Sequence, residues 1–127
     1  MPDVLPVLVS AVVAFVLSGV WYGVFGGRLA ALHEAYREPP PRAATAAVEL
    51  VRNLVLAVVT GVLADRVGVS GVGGGLLLGL LLWIGFPAVI LAGSVFHERV
   101  PWQLAAIHAG DWLLKLLAVA AIVGAWR

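Results

Sequence analysis

The sequence predicts an all-α protein: a bundle of four transmembrane helices forming one membrane domain over 1–127. Three observations predict it. Hydrophobic residues make up 62% of the chain and charged residues 12%, against about 45–50% and ~25% in soluble domains. Apolar stretches long enough to cross about 30 Å of hydrocarbon recur along it. Between them lie short segments of proline, glycine and charge, which stop helices. The mean hydropathy of +1.05 agrees.

The same totals exclude several classes. A net charge of +1 with no basic tract gives no surface for nucleic acid. There is no cysteine. Disulfides, thiol catalysis, Cys-ligated zinc and the small four-helix membrane enzymes that use a Cys pair are therefore ruled out, while the redox compartment stays open. The length leaves no room for a soluble domain beside the bundle, and no cofactor is expected.

The first span is expected at 4–25. A secretory signal peptide would need a basic start and a shorter apolar run; the one early charge is Asp3, so the span reads as retained. Ser10, Ala14 and Ser18 repeat every four residues, a spacing that suits close helix packing. Trp21 and Tyr22 suit the membrane interface. A loop at 26–42 follows. Within it, 28–37 could form a short helix, apolar at Leu29, Leu32 and Tyr36, lying on the membrane surface. Pro39, Pro40 and Pro41 then stop it.

The second span is expected at 43–67 and the third at 72–96. Gly71, Gly75 and Gly79 again repeat every four residues. A phosphate-cradling loop would need a Gly-Lys-Ser/Thr ending and a preceding strand, so close helix packing is the reading. Together the two small-residue stripes suggest self-association, hence a homo-oligomer. Gly85 and Pro87 mark a kink, because Pro87 cannot donate to the Trp83 carbonyl. His97, Glu98, Arg99, Val100 and Pro101 form the third loop, and the fourth span covers 102–126. Four spans put both termini on one side. Arg28, Arg37, Arg42 and Arg99 lie on the loop side, opposite Arg66 and Arg127. The positive-inside rule then places loops 26–42 and 97–101 in the cytoplasm and the termini outside a cell membrane of bacterial inner-membrane type.

The fourth span carries His108, Asp111 and Lys115. At roughly 100° per residue they fall within about 60° of arc. A second polar stripe, Glu49, Arg52 and Asn53, lies on the second span. Glu49 and His108 each sit about six residues, or roughly 9 Å, from the same edge. Charges at mid-membrane cost about 2.5–3.5 kcal/mol each when left in lipid, so both stripes should face inward. Their four formal charges sum to zero. The expectation is pairing between the stripes, with Glu49 and Asp111 accepting from Arg52 and Lys115. Such a cluster fits structural glue, and it fits equally a proton relay, an ion path or a polar ligand pocket. A metal centre needs three or four converging ligands. His97, Glu98 and His108 show no such spacing, so no metal is expected. Trp83 and Trp112 fall mid-span, where each indole N–H needs a partner; core packing and cavity lining are the two readings.

Several of these residues carry a resemblance. Trp21-Tyr22-Gly23 closing the first span, then the amphipathic loop, resemble the domain-of-unknown-function 1761 family. So do Leu82-Trp83-Ile84-Gly85-Phe86. Phe96-His97-Glu98-Arg99, Trp102 and Ile107-His108-Ala109-Gly110 are similar to that family's approach to its last helix. The resemblance covers nearly the whole chain. It implies a small bacterial or archaeal integral membrane protein of four helices, and no activity. Three functions stay open: a non-catalytic membrane protein that binds a partner, a proton- or ion-coupled transporter or channel, and an enzyme acting on lipid with His108 as base and Asp111 orienting it. The first span has no ionisable residue after Asp3, unlike small multidrug transporters, which place a carboxylate there.

Overall fold

A computed structural model describes residues 3–127. The chain folds into α1 (Val4–Leu32), α2 (Arg42–Val67), α3 (Gly71–Gly85), α4 (Pro87–His97) and α5 (Trp102–Ala125), with a 3-10 turn at Glu34–Tyr36. No strand occurs among the described residues. With α3 and α4 taken as one broken span, four helices are long and apolar enough to cross a membrane. The protein is thus an all-α multi-pass membrane protein.

Helix α5 is the hub. It packs against α1, α2, α3 and α4, whereas α3 packs on α5 and α4. The core between α1, α2 and α5 is built from small and β-branched residues: Ala11, Ala14, Ala57, Ala64, Val119 and Val123. Small side chains let helix backbones approach, which matters where lipid offers no hydrophobic drive for association. Ser10, Ala14 and Ser18 are all buried in this packing. On the other side of α5, a Cβ at Gly79 would lie 2.8 Å from the Leu116 carbonyl oxygen, and one at Gly75 would strike that of Ala120. Gly71 lies at the end of the same contact, its carbonyl oxygen against Gly124. Gly75, Gly79 and the Ser10, Ala14, Ser18 stripe are therefore used in packing inside the chain, while Gly71 itself stays exposed.

Two boundaries differ from the sequence reading. The first helix does not stop near Phe25 but continues through Gly26 and Gly27 to Leu32. Its last turns do not form a separate surface helix at 28–37. Leu29 is 2% exposed and packs with Leu104 and Ile107 of α5, so the apolar face attributed to a membrane surface turns toward protein at Leu29 and Leu32, while Tyr36 stays exposed. His33, at φ −152°, ends α1. Its Nδ1 accepts from the Ala35 amide at 3.0 Å and starts the turn.

The third span breaks at Phe86, φ −123° and ψ −78°, between Gly85 and Pro87. Pro87 occupies the first turn of α4, where its missing N–H costs nothing. At the far end Gly68 adopts φ 82°, the left-handed cap of α2. There Arg127 donates to the Val69 carbonyl at 2.6 Å and pairs with Asp65 at 2.7 Å. The carboxyl-terminal residue, the start of α1 and the α2–α3 turn thus share one end. The 33–41 segment and the α4–α5 turn share the other.

Candidate functional site: a cavity between α1, α2 and α5

At that second end the three helices diverge around a partly open cavity of ≈ 870 Å³. Helix α1 contributes Tyr22 and Gly26, α2 contributes Val48, Glu49 and Arg52, and α5 contributes His108, Asp111 and Trp112. The 33–41 segment passes over it and adds Tyr36 and Arg37. The parallel run of α2 and α5 brings Glu49 and His108 to one level, as their matched depth in the two spans requires.

His108 lies between two tyrosines. The Tyr22 hydroxyl is 2.6 Å from its Nδ1 and the Tyr36 hydroxyl 2.8 Å from its Nε2. A neutral imidazole has one donor and one acceptor nitrogen, so one tyrosine donates to the ring and the other accepts from it. Tyr36, outside the spans, has its phenol raised above the ordinary 10.0 by partial burial.

Below this triad the polar line continues. Ser18 donates to Asp111 Oδ1 at 2.5 Å. Lys115 Nζ reaches Asp111 Oδ2 at 3.0 Å, with both side chains 4% exposed. The ammonium also lies 3.9 Å from the centre of the Trp112 ring, a favourable cation–π geometry when desolvated. The Asp111 charge is thereby hydrogen-bonded and neutralised, the condition for keeping it in the bundle.

The expected pairing between stripes is not what forms. Arg52 pairs with Glu49 on its own helix at 2.5 Å, and Lys115 pairs with Asp111 on its own helix. Spacings of three and four residues place partners on one helix face, so each pair closes locally before the other helix can compete. The two stripes meet as walls of one cavity instead. Asn53 lies outside the cavity lining: it is 1% exposed, its Nδ2 donates to the Glu49 carbonyl at 2.9 Å, and its Oδ1 has no partner among the described residues. The base–orienter pair of His108 and Asp111 does not form either. Both ring nitrogens face tyrosines, and both carboxylate oxygens are taken by Ser18 and Lys115.

Both mid-span tryptophans have clear placements. Trp83 Nε1 donates to the Ala109 carbonyl at 2.9 Å, and Trp112 lines the cavity. Trp21 Nε1 donates to the Ile107 carbonyl at 2.8 Å. Its ring lies where a Cβ on Gly110 would be, so Trp21 and the Ile107–Gly110 stretch are one contact. Among the described residues no three His, Asp or Glu side chains converge as a metal-binding group. Tyr22, Tyr36 and Arg37 were not singled out as cavity residues in the sequence, and Ser18 was read for helix packing and not as a partner of Asp111. A signal was present for Ser18 and Tyr22, which lie one turn apart on α1.

Apolar spans, buried polar groups and a cavity at one end define a multi-pass membrane protein with an internal polar site. The chain belongs to the family described as Protein of unknown function (DUF1761), whose family model matches residues 5–124. No curated protein and no solved structure matches it.

Proposed function

We propose that the protein binds a small amphiphilic molecule within the membrane, in the cavity between α1, α2 and α5. The observation that carries this reading is the cavity itself. Its volume of ≈ 870 Å³ falls in the range of about 300–1,000 Å³ typical of ligand sites, which combine apolar walls with a few converging polar groups. Val48, Leu29 and Trp112 supply apolar wall, while Tyr36, His108, Glu49 and Arg52 supply polar groups. The Asp111–Lys115 pair acts in this reading as glue that fixes α5 beneath the site.

The test is thermal unfolding of the full chain in a neutral detergent with added single-chain amphiphiles. A ligand that binds only the folded state raises the apparent Tm by mass action. Val48→Trp fills the cavity from a residue that is otherwise exposed. The expected result is a saturable upward shift for the native chain and none for the variant, with equal melting of the two without ligand. If no amphiphile shifts the native chain more than the variant, the cavity is not a binding site.

A second reading rests on the hydrogen-bonded line Tyr36, His108, Tyr22, which fits proton movement coupled to ligand passage. Proteoliposomes with an internal pH dye test it. Proton flux unchanged by His108→Asn counts against it. We further place the cavity mouth in the cytoplasm of a bacterial-type cell, because Arg28, Arg37, Arg42 and Arg99 lie at that end against Arg66 and Arg127 at the other. Reporters active on one side only, fused to each terminus, check this; a cytoplasmic signal from both overturns it.

A further inference from the structure

We infer that the head group this cavity takes is an anion, a phosphate or a carboxylate on a single alkyl chain, held between Arg37 and Arg52. The inference rests on the binding reading above and adds the charge of the ligand. It follows from accounting for each charge that lines the cavity. Four formal charges do so: Glu49, Asp111, Arg37 and Arg52.

Both carboxylates are already engaged. Asp111 has one oxygen on Ser18 and the other on Lys115. Glu49 is held by Arg52. Each carboxylate charge is thus already balanced by a cation of its own helix, although Glu49 gives only one of its two oxygens to Arg52.

The cations are not used up in the same way. Arg37 spends its Nε on the Ala30 carbonyl at 3.0 Å. It makes no ion pair among the described residues, and Glu34 and Glu38 of its own segment lie outside the cavity lining. Arg52 uses one terminal nitrogen on Glu49, and its side chain stays 53% exposed. A guanidinium offers five N–H donors, so each arginine keeps donors for a ligand. Arginine forks match phosphate and carboxylate oxygens. Counting Lys115 with Asp111, the groups around the cavity carry one positive charge in excess. Tyr36 and His108 stand at the same mouth as neutral hydrogen-bonding groups, and the apolar wall at Leu29, Val48 and Trp112 takes a chain.

The experiment uses the full chain in a neutral detergent and four probes. These are an alkyl phosphate, an alkyl carboxylate and an alkyl trimethylammonium of equal chain length, plus inorganic phosphate. Each is titrated against the native chain, Val48→Trp, Arg37→Gln, Arg37→Lys and Arg52→Gln, with Tm shift as readout. The expected result is a saturable shift with the alkyl phosphate or carboxylate and none with the ammonium. Each Arg→Gln change should weaken binding about tenfold or more, as loss of a charge-assisted hydrogen bond implies. Arg37→Lys should bind more tightly than Arg37→Gln, which separates charge from damage to the 33–41 segment. A saturable shift with inorganic phosphate alone keeps the anion and assigns it to a free source instead of a lipid head.

A shift with the ammonium that Val48→Trp abolishes overturns the anion and leaves the binding site standing. Anion binding indifferent to both arginine changes also overturns this assignment. No shift with any probe that depends on Val48 removes site and head group together.

Discussion

Two carboxylate–cation pairs flank the cavity, on α2 and α5, at nearly the same sequence spacing, and they differ in what surrounds them. Asp111 and Lys115 are each 4% exposed, with Ser18 and the Trp112 ring completing their shell. Glu49 and Arg52 are 27% and 53% exposed, on a helix wall that opens to the cavity. Spacing decides which residues pair. Packing decides what the pair is worth. A desolvated pair is costly to break because the survivor is stranded. A pair with access to water contributes little but keeps its groups available to a third partner.

The largest expected effect breaks the buried pair. Lys115→Met should destabilise the fold by about 3–5 kcal/mol, the usual cost of leaving one partner buried alone. The double change Asp111→Leu with Lys115→Met should recover most of it, since apolar replacements of a whole buried pair are tolerated. Equilibrium unfolding in mixed micelles measures both. A double variant no better than the single one would show that the two charges do not act as a unit. Next comes Ser18→Ala, expected to cost about 1.5–3 kcal/mol through loss of a hydrogen bond to a charged group. In the Asp111→Leu, Lys115→Met background that cost should nearly vanish, which confines the role of Ser18 to Asp111. Glu49→Gln should change stability by less than about 1 kcal/mol. Equal penalties for Glu49→Gln and Lys115→Met would erase the contrast between the helices.

The smallest effect is alkaline. Tyr22→Phe leaves Tyr36 the one tyrosine, since the chain has two, so its ionisation can be followed by ultraviolet absorbance. Burial holds the Tyr36 phenol above 10.0. Burial favours the neutral phenol, so the stability this contributes is fully present below pH 10. It is lost as pH rises through the raised value, and stability falls in that window. Phenolate already forming below pH 10 would mean that the Tyr36 ring is not partly buried in solution.

The spans and both polar stripes were legible because membrane helices must be apolar for their full length, and any exception stands out. His108, Asp111, Glu49 and Arg52 are such exceptions, and the structure gathers them around one cavity. What the pattern could not convey was the partner of each charge. Depth matching treats helices as rods and ignores that a residue's own helix offers the nearest partner. The tyrosines escaped for a related reason. Tyr22 has an ordinary explanation at a membrane interface, and Tyr36 one on an amphipathic segment. Their meeting at His108 depends on α1 running on to Leu32 before the chain turns back at 33–41, where the sequence reading placed a loop from 26 onward. The glycines at 75 and 79 gave a correct sense of close approach but no indication of which surface would approach.

The seat of Trp21 has an evolutionary consequence. Its ring fills the space that any side chain at position 110 would need, and its indole N–H is fixed to the carbonyl of Ile107. Positions 21 and 110 are therefore not free to vary separately. A sequence of this family with alanine or a larger residue at the glycine should have lost the indole at the end of its first helix. One that keeps the indole should keep the glycine. Coupled substitution at these two sites would mark chains in which α1 and α5 meet as they do here.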